Sequence, residues 1–282
     1  MAENTKIAWC DMTFNPWIGC MKVGPGCDHC YAETLATARL GVAWGAGAPR
    51  RRTAESTWKQ PLAWNRRAAK LGIRYRVFCS SLADVFDNDV DPAWRVDLAM
   101  LIIATPHLDW LLLTKRIGNA KGFLWAMFGA TMPTNVWLGA TIVNREEMLR
   151  DGPKLEATPA IVRFWSVEPM LGDLGEIPLE LMPDWIIVGG ESGPGARPMH
   201  PDWARSLRDQ CAAAGVPFLF KQHGEWLPYG EIDAEGHQNS RTMGEKPGAW
   251  HEWGAGEGFS VRVGKRQAGR HLDGVQHDGV PA

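Results

Sequence analysis

The chain has 282 residues, of which 45% are hydrophobic and 22% are charged, and its 30 Lys and Arg against 32 Asp and Glu give a formal net charge of −2. This composition is typical of a globular protein, and it excludes a disordered chain and a wholly basic nucleic-acid binder. Two counts are unusual: the 15 Trp residues, and the six Cys residues, three of which lie within eleven positions.

A short strand near residues 7–13 is the first predicted element, and a loop over residues 15–31 follows it. The loop holds Cys20, Cys27 and Cys30 in the spacing C-x6-C-x2-C. Its glycines allow the backbone to fold closely around a central ion or cluster, which three converging thiolates require. The loop is therefore a candidate metal centre.

Three interpretations of the loop stay open at this point: an iron-sulfur cluster, zinc, and cysteines that bind no metal. Three soft ligands suit a 4Fe-4S cluster with one iron left open, or zinc with a fourth ligand from Cys10 or His29. A helix that begins near Asp28 is expected to direct its positive N-terminal dipole toward the thiolates. Cys79 and Cys211 lie on apolar runs and are predicted as small buried residues.

A basic segment follows at residues 50–76, where nine Lys and Arg residues accompany Glu55 as the one acid. Trp58 and Trp64 lie among them, and basic residues with aromatic rings suit a nucleic-acid backbone and unstacked bases. The competing interpretation is a solvated helix from about Trp58 to Leu71 with its tryptophans facing the core. The pattern favours the structural helix, and a contact of segment 50–76 with DNA or RNA is the other interpretation.

Six short apolar runs of strand length recur after residue 75, and the intervals between them leave room for helices. This rhythm is typical of repeated β/α units. One helix is predicted from about Pro92 to Ala104 with Asp91 as its N-cap, and another from about Asp202 to Ala214. The apolar runs are residues 75–79, 110–114, 136–142, 161–165, 185–188 and 217–220.

The strand count predicts an α/β fold, a partial or open (β/α) barrel of about six to seven parallel strands. We expect this barrel to occupy residues 1–229 as a single domain. From Gly230 onward, 11 of the last 53 residues are Gly and the apolar periodicity fades. Residues 230–282 are therefore predicted as a partly ordered C-terminal extension.

Polar residues follow each predicted strand, at the end where parallel α/β folds build their sites. Their recurrence at six strands favours one shared pocket over six isolated surface positions. The residues are Ser80, Ser81 and Asp84; Thr114, Lys115 and Arg116; Thr141 and Asn144; Ser166 and Glu168; Glu191 and Ser192; and Lys221, Gln222 and His223.

The apolar runs are too short for a membrane protein, since the longest span Leu98 to Ala104 and Trp110 to Leu113, against about 18 residues for a membrane helix. The N-terminal residues also lack the apolar core of a secretory signal. We expect a cytoplasmic protein without membrane contact. Clustered cysteines in that reducing compartment are expected as metal ligands or catalytic thiols.

Several motifs extend over most of the chain. They are Thr13 to Cys20, Pro25 to Glu33, Ser80 to Asp84, Leu113 to Arg116, Asn135 to Gly139, Ser166 to Pro169, Gly189 to Pro198 and Phe220 to Gln222. Together they resemble the phage Gp37/Gp68 family, a set of three-cysteine proteins of radical S-adenosylmethionine (SAM) type. The resemblance implies a radical-SAM-like barrel and a metal-binding iron-sulfur protein.

The resemblance also implies a chemistry. Cys20, Cys27 and Cys30 would hold three irons of a 4Fe-4S cluster, and the open iron would bind the methionine part of SAM. With an electron from a reductant, SAM would be cleaved to a 5′-deoxyadenosyl radical that takes hydrogen from a substrate. The substrate is unidentified, and nucleic acid or a nucleotide is the candidate class. The alternative is a non-enzymatic phage accessory protein that binds zinc or an iron-sulfur cluster and also nucleic acid.

The polar residues at the strand ends acquire roles from the same resemblance. One of Ser80, Ser81 and Asp84 would contact the amino group of SAM, and Lys115 or Arg116 its carboxylate. The candidate catalytic residues are Glu168 and Glu191, which would take a ribose hydroxyl or order the pocket, and Lys221.

Overall fold

The structure is a computed structural model of the chain that describes residues 5–238 and 250–282. Its strands are β1 (Met12–Phe14), β2 (Trp17–Ile18), β3 (Arg51–Arg52), β4 (Tyr75–Cys79), β5 (Leu108–Thr114), β6 (Val136–Thr141), β7 (Val162–Val167), β8 (Trp185–Gly189), β9 (Phe218–Gln222), β10 (Trp226–Pro228), β11 (Trp250–Glu252) and β12 (Phe259–Arg262). Its helices are α1 (Tyr31–Leu40), α2 (Glu55–Trp58), α3 (Gln60–Leu71), α4 (Pro92–Ile103), α5 (Ile117–Phe128), α6 (Arg145–Glu156), α7 (Pro201–Ala214) and α8 (Lys265–Ala268).

Seven parallel strands form the central sheet in the order β1-β4-β5-β6-β7-β8-β9, which confirms the predicted α/β fold. The apolar runs alternate with helices because a parallel strand needs a crossover before the next, and helices then cover the faces of the sheet. Buried apolar pairs fix the register, for example Val77 with Trp110 and Val188 with Phe220. The carboxyl ends of consecutive strands consequently share one edge.

The first strand differs from the prediction, since β1 begins at Met12 rather than near Ile7. Residues 7–10 form a turn in which the Cys10 N–H donates to the Ile7 carbonyl at 3.3 Å. Pairing with β4 begins only at Met12, opposite Val77. The apolar content of Ile7 to Cys10 reflects burial, because Trp9 and Cys10 are buried in this turn.

The two helices with clear end signals form as predicted. Asp91 caps α4, accepting a hydrogen bond from the Ala93 N–H at 2.9 Å. Helix α7 ends at Gly215, whose φ of 68° lies in the left-handed region that favours glycine. Its N-terminus lies one residue earlier than predicted, because His200 Nδ1 accepts from the Asp202 N–H.

The chain divides into two compact units. The first comprises Met1–Thr141 and Asp151–Phe164, and the second comprises Ile142–Arg150 and Trp165–Ala282. The predicted boundary between residues 229 and 230 stays a prediction. In the first unit, large rings form the core: Trp9 contacts Phe78 with ring centroids 4.5 Å apart, and Phe14 contacts Trp110 at 5.6 Å. Many of the tryptophans therefore belong to the core.

In the second unit, strands β10, β12 and β11 form a small antiparallel sheet. Beyond it, the C-terminal segment pairs with strand β9: the Phe220 N–H donates to the His277 carbonyl, and the Gly279 N–H donates to the Phe218 carbonyl, both at 3.0 Å. Trp185 Nε1 donates to the Gly279 carbonyl at 2.8 Å. Part of the predicted extension, residues 239–249, lies outside the described residues.

Within the described part of the chain, every helix is too short or too polar to cross a lipid bilayer. The longest of these helices, α7, has 14 residues.

Candidate functional site

The cysteine loop is attached to the carboxyl end of strand β4. The Gly19 N–H donates to the Leu82 carbonyl at 3.1 Å, and Gly19 forms a parallel bridge with Ala83. Gly19 has a φ of +118°, and a Cβ atom at this position would lie 3.1 Å from Arg50 Cδ. Glycine is required here because the backbone enters the loop in a strained conformation beside a buried arginine. Cys20 follows directly.

The other two cysteines lie at the start of helix α1. Cys27 is buried in a single 3-10 turn, Pro25–Cys27, and Cys30 is the N-cap residue of α1. The helix begins at Tyr31 rather than near Asp28 as predicted, because the 3-10 turn comes first. Its positive N-terminal end therefore lies directly beside Cys30, as expected for a helix that favours a thiolate. Tyr31 Oη donates to the Ser81 carbonyl at 3.0 Å and so fixes the helix to the β4 end.

Arg116 connects the end of strand β5 to the cysteine loop. Its Nη1 lies 3.3 Å from Cys20 Sγ and 3.1 Å from Asp84 Oδ2, and its Nη2 donates to the Met21 carbonyl at 2.9 Å. The side chains of Arg116 and Asp84 are only 8% and 6% exposed. In a buried charge pair of this kind each donor needs a partner, and these partners fix the position of the guanidinium.

Asp84 accepts hydrogen bonds from several groups of the neighbouring strand end. Thr114 Oγ1 lies 2.8 and 2.9 Å from its two carboxylate oxygens, and the Lys115 N–H donates at 3.1 Å. The Phe86 N–H adds a further bond at 2.9 Å. The ends of β4 and β5 are therefore joined through one carboxylate, which fixes the direction of the Arg116 side chain.

Burial and neighbouring charges act in opposite directions on the pKa values of Cys20 and Arg116. Burial raises the pKa of the Cys20 thiol to about 11, although the Arg116 charge acts to lower it. Burial alone would lower the pKa of the Arg116 guanidinium, but the Asp84 carboxylate and Cys20 more than offset this and raise it above its usual value. Arg116 is therefore a permanent cation beside the Cys20 sulfur.

Ser80 and Ser81 differ in their surroundings. Ser81 Oγ accepts a hydrogen bond from Asn15 Nδ2 at 3.0 Å, and Asn15 Oδ1 accepts from the Leu82 N–H at 2.7 Å. Ser80 is buried, and its Oγ has no hydrogen-bond partner among the described residues. A buried hydroxyl without a partner costs free energy unless a ligand satisfies it, so Ser80 Oγ is a candidate ligand contact.

Lys115 also points along the strand ends, and its Nζ donates to Thr141 Oγ1 at 3.2 Å. Of the residues assigned from the sequence to SAM, Asp84, Lys115 and Arg116 are thus brought together with Cys20. The contacts of Arg116 and Asp84 are with the protein itself.

The thiolates of the cysteine loop bear on the kind of metal. Among the described residues, one set of three His, Cys, Asp or Glu ligand atoms lies within 4.8 Å of one another, and it is Asp233, Glu235 and His237. The sulfurs of Cys20, Cys27 and Cys30 do not all lie within 4.8 Å of one another. Three thiolates in one loop are the donor set that a 4Fe-4S cluster with one open iron takes.

In the second unit, the predicted residues Glu168 and Lys221 form an ion pair at the ends of β7 and β9. Lys221 Nζ lies 2.5 Å from Glu168 Oε1, each side chain is 18% exposed, and Gln222 Nε2 donates to the same oxygen at 3.3 Å. Burial and the neighbouring Lys221 charge lower the pKa of Lys265. This unit thus carries a half-buried charged group suited to binding a polar ligand.

Glu191, the third predicted catalytic residue, is buried and bound to Arg197. Its Oε2 accepts from the Arg197 N–H at 2.8 Å and from Nε at 2.9 Å, and its Oε1 accepts from Nη2 at 2.6 Å. These bonds close the Gly-rich loop that follows β8. The loop packs tightly, since a Cβ on Gly190 would lie 2.0 Å from the His223 carbonyl oxygen.

One known protein family matches nearly the whole chain. The family described as Protein of unknown function (DUF5131) matches residues 4–281. The chain belongs to the DUF5131 family. None of the curated proteins compared with this DUF5131 chain matches it.

Three solved structures of spore photoproduct lyase are similar to the DUF5131 chain. A mutant with bound AdoMet and dinucleoside spore photoproduct has 14% identity and a TM-score of 0.45, over 76% of this chain and 57% of that one. A second mutant has 15% identity and a TM-score of 0.46, over 74% and 63% of the two chains. The DUF5131 chain thus spans less than two thirds of the length of these proteins.

The basic segment of the DUF5131 chain is largely ion-paired. Arg50 pairs with Asp87 at 2.7 Å with both side chains almost fully buried, and Arg74 makes a forked contact with Asp109. Trp64 is buried, so the helix face that it occupies belongs to the core. The exposed basic residues of the segment are Arg51, Arg66, Arg67, Lys59, Lys70 and Arg74.

Two residues that contact candidate site residues of the DUF5131 chain were not singled out by sequence reasoning. Asn15 holds the β4 end, and Arg197 binds Glu191. Asn15 lies directly after β1, so its position at a strand end is a usable signal. Arg197 lies in a loop where no such signal exists.

Proposed function

We propose that this DUF5131 protein is a radical SAM-type enzyme whose Cys20, Cys27 and Cys30 bind a 4Fe-4S cluster. The observation that carries the proposal is the attachment of a three-cysteine loop to the carboxyl ends of β4 and β5, with Arg116 donating to Cys20. The resemblance of the sequence motifs to the phage Gp37/Gp68 family, of radical SAM type, supports it. When bound, the cluster and SAM would supply one-electron cleavage of SAM to a 5′-deoxyadenosyl radical.

The residues of the chain have separate tasks in this proposal. The N-terminal end of α1 and the Arg116 guanidinium favour negative charge at Cys30 and Cys20. Ser80 Oγ, which is buried and has no hydrogen-bond partner in the described part of the chain, is the group best suited to contact SAM at the end of β4. Asp84, through its bonds to Thr114 and Arg116, orders this edge of the site rather than standing open to a ligand.

Glu168, Lys221 and Glu191, which all lie in the second unit, are proposed to bind and orient a polar ligand. The Glu168 and Lys221 pair provides a carboxylate and an ammonium group, each partly exposed, that can hold a hydroxyl or a second charged group. Glu191 acts on the shape of its loop through Arg197. The substrate class that we propose is nucleic acid or a nucleotide, contacted by the exposed basic residues of segment 50–76 in a cytoplasmic setting.

Anaerobic reconstitution of the full chain with iron and sulfide tests the proposal. We expect a brown protein with the visible absorption of an iron-sulfur cluster, and 5′-deoxyadenosine after incubation with SAM and dithionite. Cys27→Ala is expected to abolish both signals. Cys211→Ala, a matched change at a buried cysteine of helix α7, is expected to keep them.

Two other results of the reconstitution would each support an alternative function. Tight stoichiometric zinc binding without iron uptake would support a zinc-binding accessory protein. A protein that takes up the cluster but forms no 5′-deoxyadenosine would be an iron-sulfur binding module. Either result would overturn the proposed enzyme.

A further inference from the structure

Both terminal nitrogens of Arg116 contact groups within the protein. Its two terminal nitrogens contact Cys20 Sγ, the Asp84 carboxylate and the Met21 carbonyl, and the side chain is 8% exposed. An arginine that clamps a ligand carboxylate needs a free pair of donors on one edge of its fork. Here the forked edge is directed at the cysteine loop.

The hydrogen bond from Arg116 also distinguishes Cys20 from the other two cysteines of the loop. Of Cys20, Cys27 and Cys30, it is Cys20 whose sulfur accepts a hydrogen bond from a cationic side chain of the described residues. Hydrogen bonds to cysteine sulfurs, local charge and exposure set the reduction potential of iron-sulfur centres. A buried cation that donates to a ligand sulfur stabilises the form with one more negative charge.

We propose that Arg116 raises the reduction potential of the cluster through its hydrogen bond to Cys20, with Asp84 as the positioning residue that holds the guanidinium in place. This inference rests on the proposed function, because it requires a cluster bound through Cys20. It gives Arg116 a role different from contact with the SAM carboxylate.

The test is a redox titration of the reconstituted full chain, followed by electron paramagnetic resonance. Dithionite is oxidised in each step as the cluster gains one electron. Arg116→Met removes the donor, and we expect the equilibrium between oxidised and reduced cluster to shift at least about tenfold toward the oxidised form. For a one-electron couple this equals a reduction potential about 59 mV more negative. Arg116→Gln keeps a neutral donor and should give a smaller shift in the same direction.

Lys22→Met is the matched control, because Lys22 is a cation of the same loop that bonds the Asp28 carbonyl and pairs with Glu33 without contacting Cys20. Its potential should equal that of the unmodified protein. Asp84→Asn removes a negative charge beside Cys20 as well as the group that holds the guanidinium. It should therefore shift the potential further in the positive direction in the Arg116→Met background than in the parent chain, and equal shifts in the two backgrounds would remove the positioning role of Asp84.

The results separate this inference from the proposed function. If the unmodified chain assembles no cluster, the proposed function fails first. If it does assemble one, an unchanged potential in Arg116→Met, or an equal shift in Lys22→Met, overturns the role of Arg116. Should Arg116→Met not retain iron, an unchanged potential in Arg116→Gln overturns it instead.

Discussion

Arg116 donates to the sulfur of Cys20 across 96 residues of sequence, at 3.3 Å. The contact joins a loop near the N-terminus to the turn between strand β5 and helix α5. Because Asp84 at the end of β4 binds the same guanidinium nitrogen, three separate segments of the first unit meet at this buried charge. Changes at this point are expected to affect both stability and cofactor binding.

The Asp84→Asn substitution should lower the free energy of unfolding by about 3–5 kcal/mol, since it leaves the buried Arg116 charge without its counter-charge. Urea unfolding monitored by tryptophan fluorescence measures this. Asp97→Asn is the control, because Asp97 is 55% exposed and pairs with Arg52 at the surface, where a salt bridge contributes about 0–1 kcal/mol. Equal losses in the two variants would contradict a buried pair.

Single replacements of the three loop cysteines should each reduce the iron content of the reconstituted protein, whereas Cys79→Ala should leave it near that of the parent chain. Cys79 is fully buried within strand β4 and is not part of the cysteine loop, so it is not expected to be a ligand. Iron and acid-labile sulfide assays give the comparison. Full iron content in any of the loop variants would remove that residue from the ligand set.

The stability of the protein should depend on pH through His223. Burial lowers the pKa of this histidine to about 4, from a usual value of about 6.5. The unfolded state therefore takes up the proton first, and stability is complete above about pH 6.5 and declines as the pH falls toward 4, by about 3 kcal/mol in full. In His223→Gln the unfolding free energy should change less between pH 7.5 and 5.

His107→Gln provides the comparison for that measurement, because His107 is exposed. Its pH profile should match that of the unmodified protein. A profile of His223→Gln that is as steep as the parent's would mean that another group controls the acid sensitivity.

Gly190→Ala should destabilise the second unit by about 1–3 kcal/mol or more, because the added Cβ would lie 2.0 Å from a backbone carbonyl oxygen that cannot move aside. Gly122→Ala in helix α5 meets nothing within 4 Å and should instead stabilise by about 0.5–1 kcal/mol. Thermal unfolding of the two variants shows the difference. A neutral Gly190→Ala would argue against the close approach of the β8 and β9 ends.

Replacing Arg51, Arg66 and Arg67 together by Gln should weaken binding of a mixed-sequence single-stranded oligonucleotide and reduce its salt dependence by roughly one unit of slope per lost phosphate contact. Fluorescence anisotropy at several salt concentrations gives both quantities. Lys121→Gln, an exposed change on helix α5, should reduce neither. If the triple variant binds as the parent does, segment 50–76 is structural.

The sequence predicted the strands that form the sheet from β4 onward, because each is an apolar run bounded by polar residues, and Asp91 and Gly215 marked helix ends by local chemistry. Contacts between residues that are distant in sequence could not be predicted from these local patterns. Arg50 was counted as part of a basic surface, yet it is buried against Asp87, which lies 37 residues later.

The same limit applies to the candidate site. Spacing identified Cys20, Cys27 and Cys30 as one group, and strand ends identified Asp84 and Arg116 as polar residues of the same edge. That Arg116 would bind Cys20 depends on the register of β4 and β5 and on the path of the loop, neither of which has a local sequence signal.

The pairing of residues 277–279 with strand β9 protects the protein against aggregation through its sheet edge. Strand β9 is at one end of the seven-stranded sheet, and a bare terminal strand offers unsatisfied N–H and C=O groups to strands of other molecules. The C-terminal segment occupies those groups from within the same chain. Shortening the chain before His277 would open the sheet to intermolecular strand addition, and aggregation would follow at protein concentrations that the full chain tolerates.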